Sequence, residues 1–284
     1  MVTLWHRGKA KIDRLLGGAA PETSTTHEST CCVPYEIVEK IIAHLIHDHS
    51  ALRACSLTCR SWHAVAVPHI YCTLAFGSGA RLKILSKLHK RGLMPFVNEI
   101  HVYHPRAKRG WFAPKAFSPR DLYYFSALAN VHTLHLQYTK IHHFIPGVER
   151  YFGHFSQTLQ SIFLSSPQCT PRQLSHFLSL FSNLDNINIL GDCTPVRIPT
   201  SDTQLVPFSV PKLQGQLTLY NFQSVETWTH LISPGGLRFC HLDLAGSTDC
   251  APVLLEACAE TLETLELWAT DGKLCCSGSS AGSN

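Results

Sequence analysis

The sequence is short of charged residues and of long apolar runs, and each shortage excludes a class of protein. Asp, Glu, Lys and Arg make up only 15% of the 284 residues, against roughly 25% in typical soluble domains. The net charge of +4 is scattered along the chain, whereas nucleic-acid binding usually needs a concentrated basic face. No apolar run approaches the roughly 18 residues that cross a bilayer. We therefore expect neither nucleic acid nor a membrane as a partner.

The N-terminal segment and the cysteines both favour an intracellular protein. Residues 1–30 are basic and then rich in Ser, Thr and Glu, without the apolar core of a secretory signal. We predict a disordered leader, with a mitochondrial presequence as the less favoured alternative. Several of the twelve cysteines, such as Cys55, Cys59, Cys240 and Cys258, fall in apolar periodic segments. They are expected to be small buried hydrophobes in a reducing compartment, which indicates the cytoplasm or nucleus.

Residues 31–72 have the pattern of a small helical module. Ile37, Ile41 and Leu45 recur at helical spacing and form one apolar stripe. Ser50 is a suitable N-cap for a second helix, and Pro68 is expected to end a third. A module of this size has more apolar surface than it can bury alone, which favours a partner that completes its core.

This module carries the motifs of a known family. VPYEIVEKIIAHL is followed after a short turn by LRACSLTCRSWHAVAVPHIY, giving a Pro-x-Glu-Ile opening, a Ser-Leu-x-Cys-Arg-x-Trp core and a Pro-x-x-Tyr exit. The segment resembles an F-box, with Val33 where the family usually has Leu. The resemblance implies docking onto the Skp-type adaptor of a cullin-RING ubiquitin ligase. It assigns adaptor binding to Val33, Pro34, Ile37, Ile41, Leu45, Leu52, Ser56, Leu57, Cys59, Arg60 and Trp62.

A different periodicity follows a connecting helix predicted within residues 73–95. Seven units of the form L-x-x-L-x-L recur roughly 23 to 34 residues apart, near the leucine-rich-repeat period. Helical patterns at 118–129, 171–181, 225–232 and 251–259 fill several intervals. The predicted fold is therefore α/β: a three-helix module, then an irregular leucine-rich-repeat-like solenoid of short parallel strands and helices over residues 96–270. This region loosely resembles the C-terminal parts of fungal F-box proteins.

The ends of the predicted strands lack one feature of regular repeats. A regular repeat places there an Asn or Cys that bonds the backbone of the turn. The equivalent positions in this chain hold Thr139, Pro167, Asp192, Phe222, Ser247 and Thr270. We therefore expect the turns to vary and the arc to be irregular. A disordered tail is predicted over residues 271–284, which are rich in Gly, Cys and Ser.

One segment of the repeat region is a candidate recognition loop. Arg106, Lys108 and Arg109 lie beside Trp111, and arginine suits bidentate contacts to carboxylate or phosphate. We interpret this loop as a candidate target-binding element for an acidic or phosphorylated segment. The alternative is a solvated loop whose tryptophan packs back on the repeats.

Metal and catalytic signatures are missing from the sequence. His44, His47 and His49 are not accompanied by the second pair of ligands that zinc sites require, so no metal site is expected. His132 and His135 flank a predicted strand and are expected to face solvent or a partner. There is no P-loop, H-E-x-x-H or G-x-G-x-x-G motif. We therefore expect no cofactor and no enzymatic activity.

These observations give one leading functional hypothesis and two alternatives. The chain is expected to be the substrate receptor of an SCF-type ubiquitin ligase, binding the adaptor, and through it a cullin, by the F-box and an unknown target by the repeats. The first alternative is a scaffold outside any ligase. The second is a cryptic hydrolase or ligand pocket on the solenoid, which clustered titratable side chains would favour.

Overall fold

The protein is described by a computed structural model. It describes residues 33–76, 82–103, 124, 126–138, 141, 152–193, 213–222, 224–229, 237–246 and 248–268. The predicted leader, the predicted tail and the basic loop with Arg106, Lys108, Arg109 and Trp111 lie outside these ranges, as does most of the helix expected at 118–129.

The described chain begins with the predicted helical module, whose helices are α1 (Tyr35–His44), α2 (His49–Ser56) and α3 (Arg60–Ile70). Asp48, and not Ser50, is the N-cap of α2, because its Oδ1 accepts the amides of Ser50 and Ala51 at 2.9 Å each. Helix α3 does not stop at Pro68 but continues to Ile70. Proline removes only one intrahelical hydrogen bond so close to the end of a helix, and the last turn persists.

A small core holds the three helices together. The side chains of Val38, Ile42, Leu52, Val65 and Ala66 are buried at its centre, and those of Tyr35, Leu45, Cys55, Trp62 and Ile70 pack around them half-buried. Each helix therefore contributes to one shared interior. The core uses only one side of α1, since Val38 and Ile42 point inward while Ile37 and Ile41 remain exposed.

The rest of the described chain is built on a parallel sheet. Its eight strands, counted within the described residues, are hydrogen-bonded in sequence order: β1 (Thr73–Phe76), β2 (Glu99–Tyr103), β3 (Thr133–Gln137), β4 (Ser161–Ser165), β5 (Asn186–Leu190), β6 (Leu213–Tyr220), β7 (Leu237–Ala245) and β8 (Thr264–Trp268). Strands β2 to β8 are the seven predicted units, so the prediction of short parallel strands is confirmed. Strand β1 was not predicted and lies just ahead of the connecting helix.

Short helices occupy several of the crossovers that a parallel sheet requires. They are α4 (Leu82–Lys90), α5 (Pro171–Leu178), α6 (Val225–Thr229) and α7 (Ala251–Cys258), with 3₁₀ turns at Met94–Phe96, Gly153–Phe155 and Thr248–Cys250. A capping box starts α5, in which the Thr170 hydroxyl accepts the Gln173 amide and the Gln173 side chain accepts the Thr170 amide. Within the described part of the chain, no helix is long and apolar enough to cross a membrane.

The two faces of the sheet differ in burial. Side chains alternate along each strand, and the Leu and Ile side chains of one face lie in a continuous core with those of the helices. We call the other face, which carries half-buried and exposed side chains, the open face. It holds Glu99, His101 and Tyr103 on β2 and the residues in register with them on the following strands.

The turns that follow five consecutive strands are alike, and the expectation that they vary is wrong. Each begins with a residue of positive φ, between 47° and 78°, at Tyr138, Ser166, Gly191, Asn221 and Gly246. The amide of each donates to the carbonyl of the last residue of the next strand, at 2.7–2.8 Å. A ladder of main-chain hydrogen bonds thus replaces the side-chain ladder that the sequence lacks.

Candidate functional site

Helix α1 has an apolar side that faces solvent. Ile37 and Ile41 lie one turn apart on the same side of the helix, and their side chains are 44% and 37% exposed. Val38 and Ile42, their neighbours in sequence, are fully buried. The helix therefore satisfies the core of the module with one pair of aliphatic side chains and leaves a second pair uncovered.

Other aliphatic side chains of the module are also exposed. Val33, Ile46 and Leu57 join Ile37 and Ile41, and we call these five residues the exposed aliphatic set. Leu57 is the most exposed, at 85%. The set accounts for five of the nine large exposed hydrophobic residues in the described part of the chain. Single exposed aliphatic residues are ordinary, but such a concentration in one small module indicates an interaction surface.

The residues that the F-box resemblance assigned to adaptor binding divide into three groups. Exposed residues are Val33, Pro34, Ile37, Ile41, Leu57 and Arg60, and half-buried residues are Leu45, Ser56, Cys59 and Trp62. Leu52 is buried in the core of the module, so its side chain supports α2 from within and is not available for direct contact. Ile46 was not predicted, although it follows Ile42 at helical spacing and is 41% exposed.

Local hydrogen bonds hold the turn that presents Leu57. The Ser56 hydroxyl donates to the Arg53 carbonyl and the Thr58 hydroxyl to the Cys55 carbonyl, both at 2.8 Å. From α3, the His63 ring Nδ1 lies 3.0 Å from the Ser56 carbonyl oxygen. These contacts tie the end of α2 to the start of α3, and so fix the backbone on which the exposed leucine sits.

The open face of the sheet contains a second candidate site. A depression of about 380 Å³ lies over strands β2 to β6. Its wall includes a row of rings in register on three neighbouring strands, His101, His135 and Phe163. The two imidazoles stack with their centroids 4.0 Å apart, and His135 stacks on Phe163 at 4.2 Å. His135 therefore lies between two rings instead of facing solvent freely, whereas His132 is exposed.

Glu99 lies against this row of rings. Its Oε1 is 2.8 Å from His101 Nε2 and 2.9 Å from His135 Nε2, and its Oε2 accepts the Thr73 hydroxyl at 2.9 Å. Burial raises the pKa of Glu99, but the hydrogen-bonding and electrostatic effects of its neighbours outweigh this and hold the pKa below its usual range. Burial, and next the field of His101, lower the pKa of His135. The sequence analysis did not find this cluster.

The cysteines of the described residues are free thiols. Cys258 is buried, as expected, whereas Cys55, Cys59 and Cys240 are half-buried. Burial raises the pKa of the Cys250 thiol to about 12, so this group remains protonated at neutral pH. Cys250 therefore acts as a small buried side chain, and its thiol donates to the Phe222 carbonyl at 3.5 Å.

Comparison with known families supports the reading of the helical module. Residues 30–76 match the family described as F-box-like. The matched segment spans α1, α2, α3 and β1, and it includes the whole exposed aliphatic set. No curated protein matches the chain.

Proposed function

We propose that the protein is the substrate-receptor subunit of an SCF-type cullin-RING ubiquitin ligase. One observation carries the proposal: an F-box-like segment leaves a concentrated set of aliphatic side chains in solvent. F-box domains generally bind Skp-type adaptors, and the adaptor in turn connects to a cullin. The exposed aliphatic set is the surface that such an adaptor would cover.

The exposed side chains are large enough to matter energetically. Burying a whole Ile or Leu side chain contributes about 1.5–3 kcal/mol. Since Ile37 and Ile41 are 44% and 37% exposed, covering what remains would contribute about 1.2–2.4 kcal/mol together. Leu57, at 85% exposed, would add about 1.3–2.5 kcal/mol. Three side chains thus supply a useful part of the free energy of binding, before the entropy lost on association is subtracted.

The sheet region is proposed to hold the target. Its strands recur at intervals from 23 residues (His241 to Thr264) to 34 residues (Glu99 to Thr133), and a main-chain ladder joins successive turns. These features support a leucine-rich-repeat-like solenoid in which each unit packs on its neighbours. The basic loop at Arg106, Lys108, Arg109 and Trp111 remains a proposed contact for an acidic or phosphorylated target.

In this proposal the chain performs no chemistry itself. It acts in the cytoplasm or nucleus by raising the effective concentration of target lysines near the ubiquitin-charged enzyme, and so promotes ubiquitin-dependent degradation. The exposed aliphatic set favours this role over that of a scaffold outside a ligase. The cluster of Glu99, His101 and His135 favours a ligand-binding role for the open face, which is compatible with target recruitment.

Co-elution of the full chain with a Skp-type adaptor and a cullin tests the proposal. The test variant is Ile37→Asp, and the control is Ile84→Asp. Ile84 is the same residue type, is 40% exposed and lies on α4, outside the matched segment. Wild type and control should elute as a ternary complex, and Ile37→Asp should elute alone, because docking would bury an unpaired carboxylate. Circular dichroism verifies that each variant is folded. A folded wild-type chain that elutes apart from both partners would refute the proposal.

A further inference from the structure

Three potential metal ligands meet at one edge of the depression on the open face. Glu99 and His101 are two residues apart on β2, so their side chains emerge on the same face. His135 is in direct register with His101 on β3, and residues paired in this way are close neighbours across the sheet. The register of two rigid strands therefore brings together a carboxylate and two imidazoles that are 34 residues apart along the chain.

The ligand atoms of this cluster are close enough to share one ion. Glu99 Oε1, His101 Nε2 and His135 Nε2 all lie within 4.8 Å of one another. Zinc–ligand bonds of about 2.0–2.2 Å in tetrahedral geometry place neighbouring ligand atoms roughly 3.3 Å apart. The 2.8 and 2.9 Å separations from the carboxylate oxygen to the two nitrogens need to lengthen by only about 0.5 Å to admit such an ion.

His101 is held as a ligand would be held, and not as a hydrogen-bond donor. Its Nε2 is buried and, among the described residues, has no hydrogen-bond partner, although the carboxylate oxygen is 2.8 Å away. The ring is therefore misaligned with the line that joins the two atoms. A cation bound by both atoms would lie off that line as well. The stacked rings, which are 18° from parallel, must tilt so that their lone pairs converge on the ion.

The carboxylate is oriented by a neighbour on the adjacent strand. The Thr73 hydroxyl on β1 donates to Glu99 Oε2 at 2.9 Å, which leaves Oε1 directed at the two imidazoles. Metal sites commonly have such supporting contacts, because they fix the orientation of the ligand. Phe163 supports His135 in the same way, by stacking at 4.2 Å with the ring planes 2° apart.

From these observations we propose that Glu99, His101 and His135 bind one divalent transition-metal ion of the zinc type. Two imidazoles and one carboxylate are a known ligand set for zinc, and three protein ligands leave a fourth position open. His101 and His135 also line the depression, so the open position borders the cavity. The sequence expectation of no metal site considered ligand spacing along the chain, whereas this site forms across two strands.

The test titrates the full-length, metal-stripped chain with Zn²⁺ and with Co²⁺, whose visible spectrum reports its ligands. The test variants are Glu99→Gln and His135→Phe. The control is His241→Phe, which makes the same change at another half-buried histidine of the open face, on β7. The spectrum also separates this site from the twelve cysteines of the chain, because a thiolate ligand gives a charge-transfer band that nitrogen and oxygen ligands do not.

The expected result is one Co²⁺ per chain without a thiolate band, displaced by Zn²⁺. Glu99→Gln and His135→Phe should each weaken binding by more than about 100-fold, beyond the 10–100-fold typical of supporting residues, and His241→Phe should bind like wild type. Glu99→Gln preserves side-chain shape and decides the matter should His135→Phe fail to fold. Binding only with a thiolate band, no binding at all, or equal binding by wild type and Glu99→Gln would each overturn the proposal.

Discussion

Gly215 is the position at which the geometry of the sheet predicts the largest effect of one methyl group. It has φ +84° and lies at a register shift between β6 and β7. A Cβ here would collide with the carbonyl oxygen of Asp185 and would lie 2.8 and 2.9 Å from the carbonyl carbon and Cα of that residue. Since these are backbone atoms, no side chain can move aside to admit the methyl group.

The expected cost of Gly215→Ala has three parts. The positive φ costs an alanine about 1–2 kcal/mol. Separating the strands weakens the hydrogen bond from the Gln216 amide to the Asp185 carbonyl, which is 2.7 Å long, at about 0.5–1.5 kcal/mol. Overpacking adds about 1–3 kcal/mol. The total is about 2.5–6.5 kcal/mol, and even its lower end lowers Tm by about 5–10 °C in a fold of 150–250 residues.

Thermal melting followed by circular dichroism measures this effect, and Gly153→Ala is the matched control. A Cβ at Gly153 meets no atom within 4 Å, so the control should leave Tm unchanged or raise it slightly, by up to about 1 kcal/mol of stability. If Gly215→Ala melts within about 2 °C of wild type, the close approach of β6 to Asp185, and with it the described register, is wrong.

Three further predictions concern the helical module and the cluster on the open face. Asp48→Ala should destabilise the chain by about 0.5–2 kcal/mol, because it removes the acceptor of two amides of α2, whereas Ser50→Ala should change stability by less than about 0.5 kcal/mol; equal melting of the two variants would contradict the observed cap. Leu52→Ala should cost about 2–5 kcal/mol, measured by urea unfolding, since Leu52 is fully buried; a near-neutral effect would argue against its place in the core. Thr73→Val should weaken Co²⁺ binding by about 10–100-fold, because it removes the hydroxyl that orients Glu99; unchanged affinity would show that this hydrogen bond does not support the site.

The strands were predictable because their pattern repeats, while one strand and the turns were not. Alternating leucines at regular intervals identified β2 to β8 directly. Strand β1 is only four residues long and precedes a clear amphipathic helix, so its short apolar pattern did not stand out. The turns depend on main-chain hydrogen bonds and positive φ at Tyr138 and Ser166 as well as at glycines. Such contacts leave little trace in residue identity.

The two candidate sites differ in how much the sequence revealed. The exposed aliphatic set was largely anticipated, because Ile37 and Ile41 lie in a motif with recognisable spacing. Periodicity alone did not separate them from Val38 and Ile42, since only the packing of α2 and α3 decides which side of α1 is buried. The cluster of Glu99, His101 and His135 depends on strand register. Its one signal was a Glu-x-His on β2 followed by a histidine at the equivalent position of the next unit.

Isothermal titration calorimetry of the full chain against a purified Skp-type adaptor tests the central claim most directly. Wild type should bind one adaptor per chain, and Ile37→Ala/Ile41→Ala should weaken binding by about 8–60-fold, which corresponds to the 1.2–2.4 kcal/mol assigned to their exposed surface. Ile84→Ala, a change at a comparably exposed isoleucine outside the module, should bind like wild type. Absence of binding by folded wild type, or equal weakening by the double variant and the control, would contradict the assignment of the exposed aliphatic set as the docking surface.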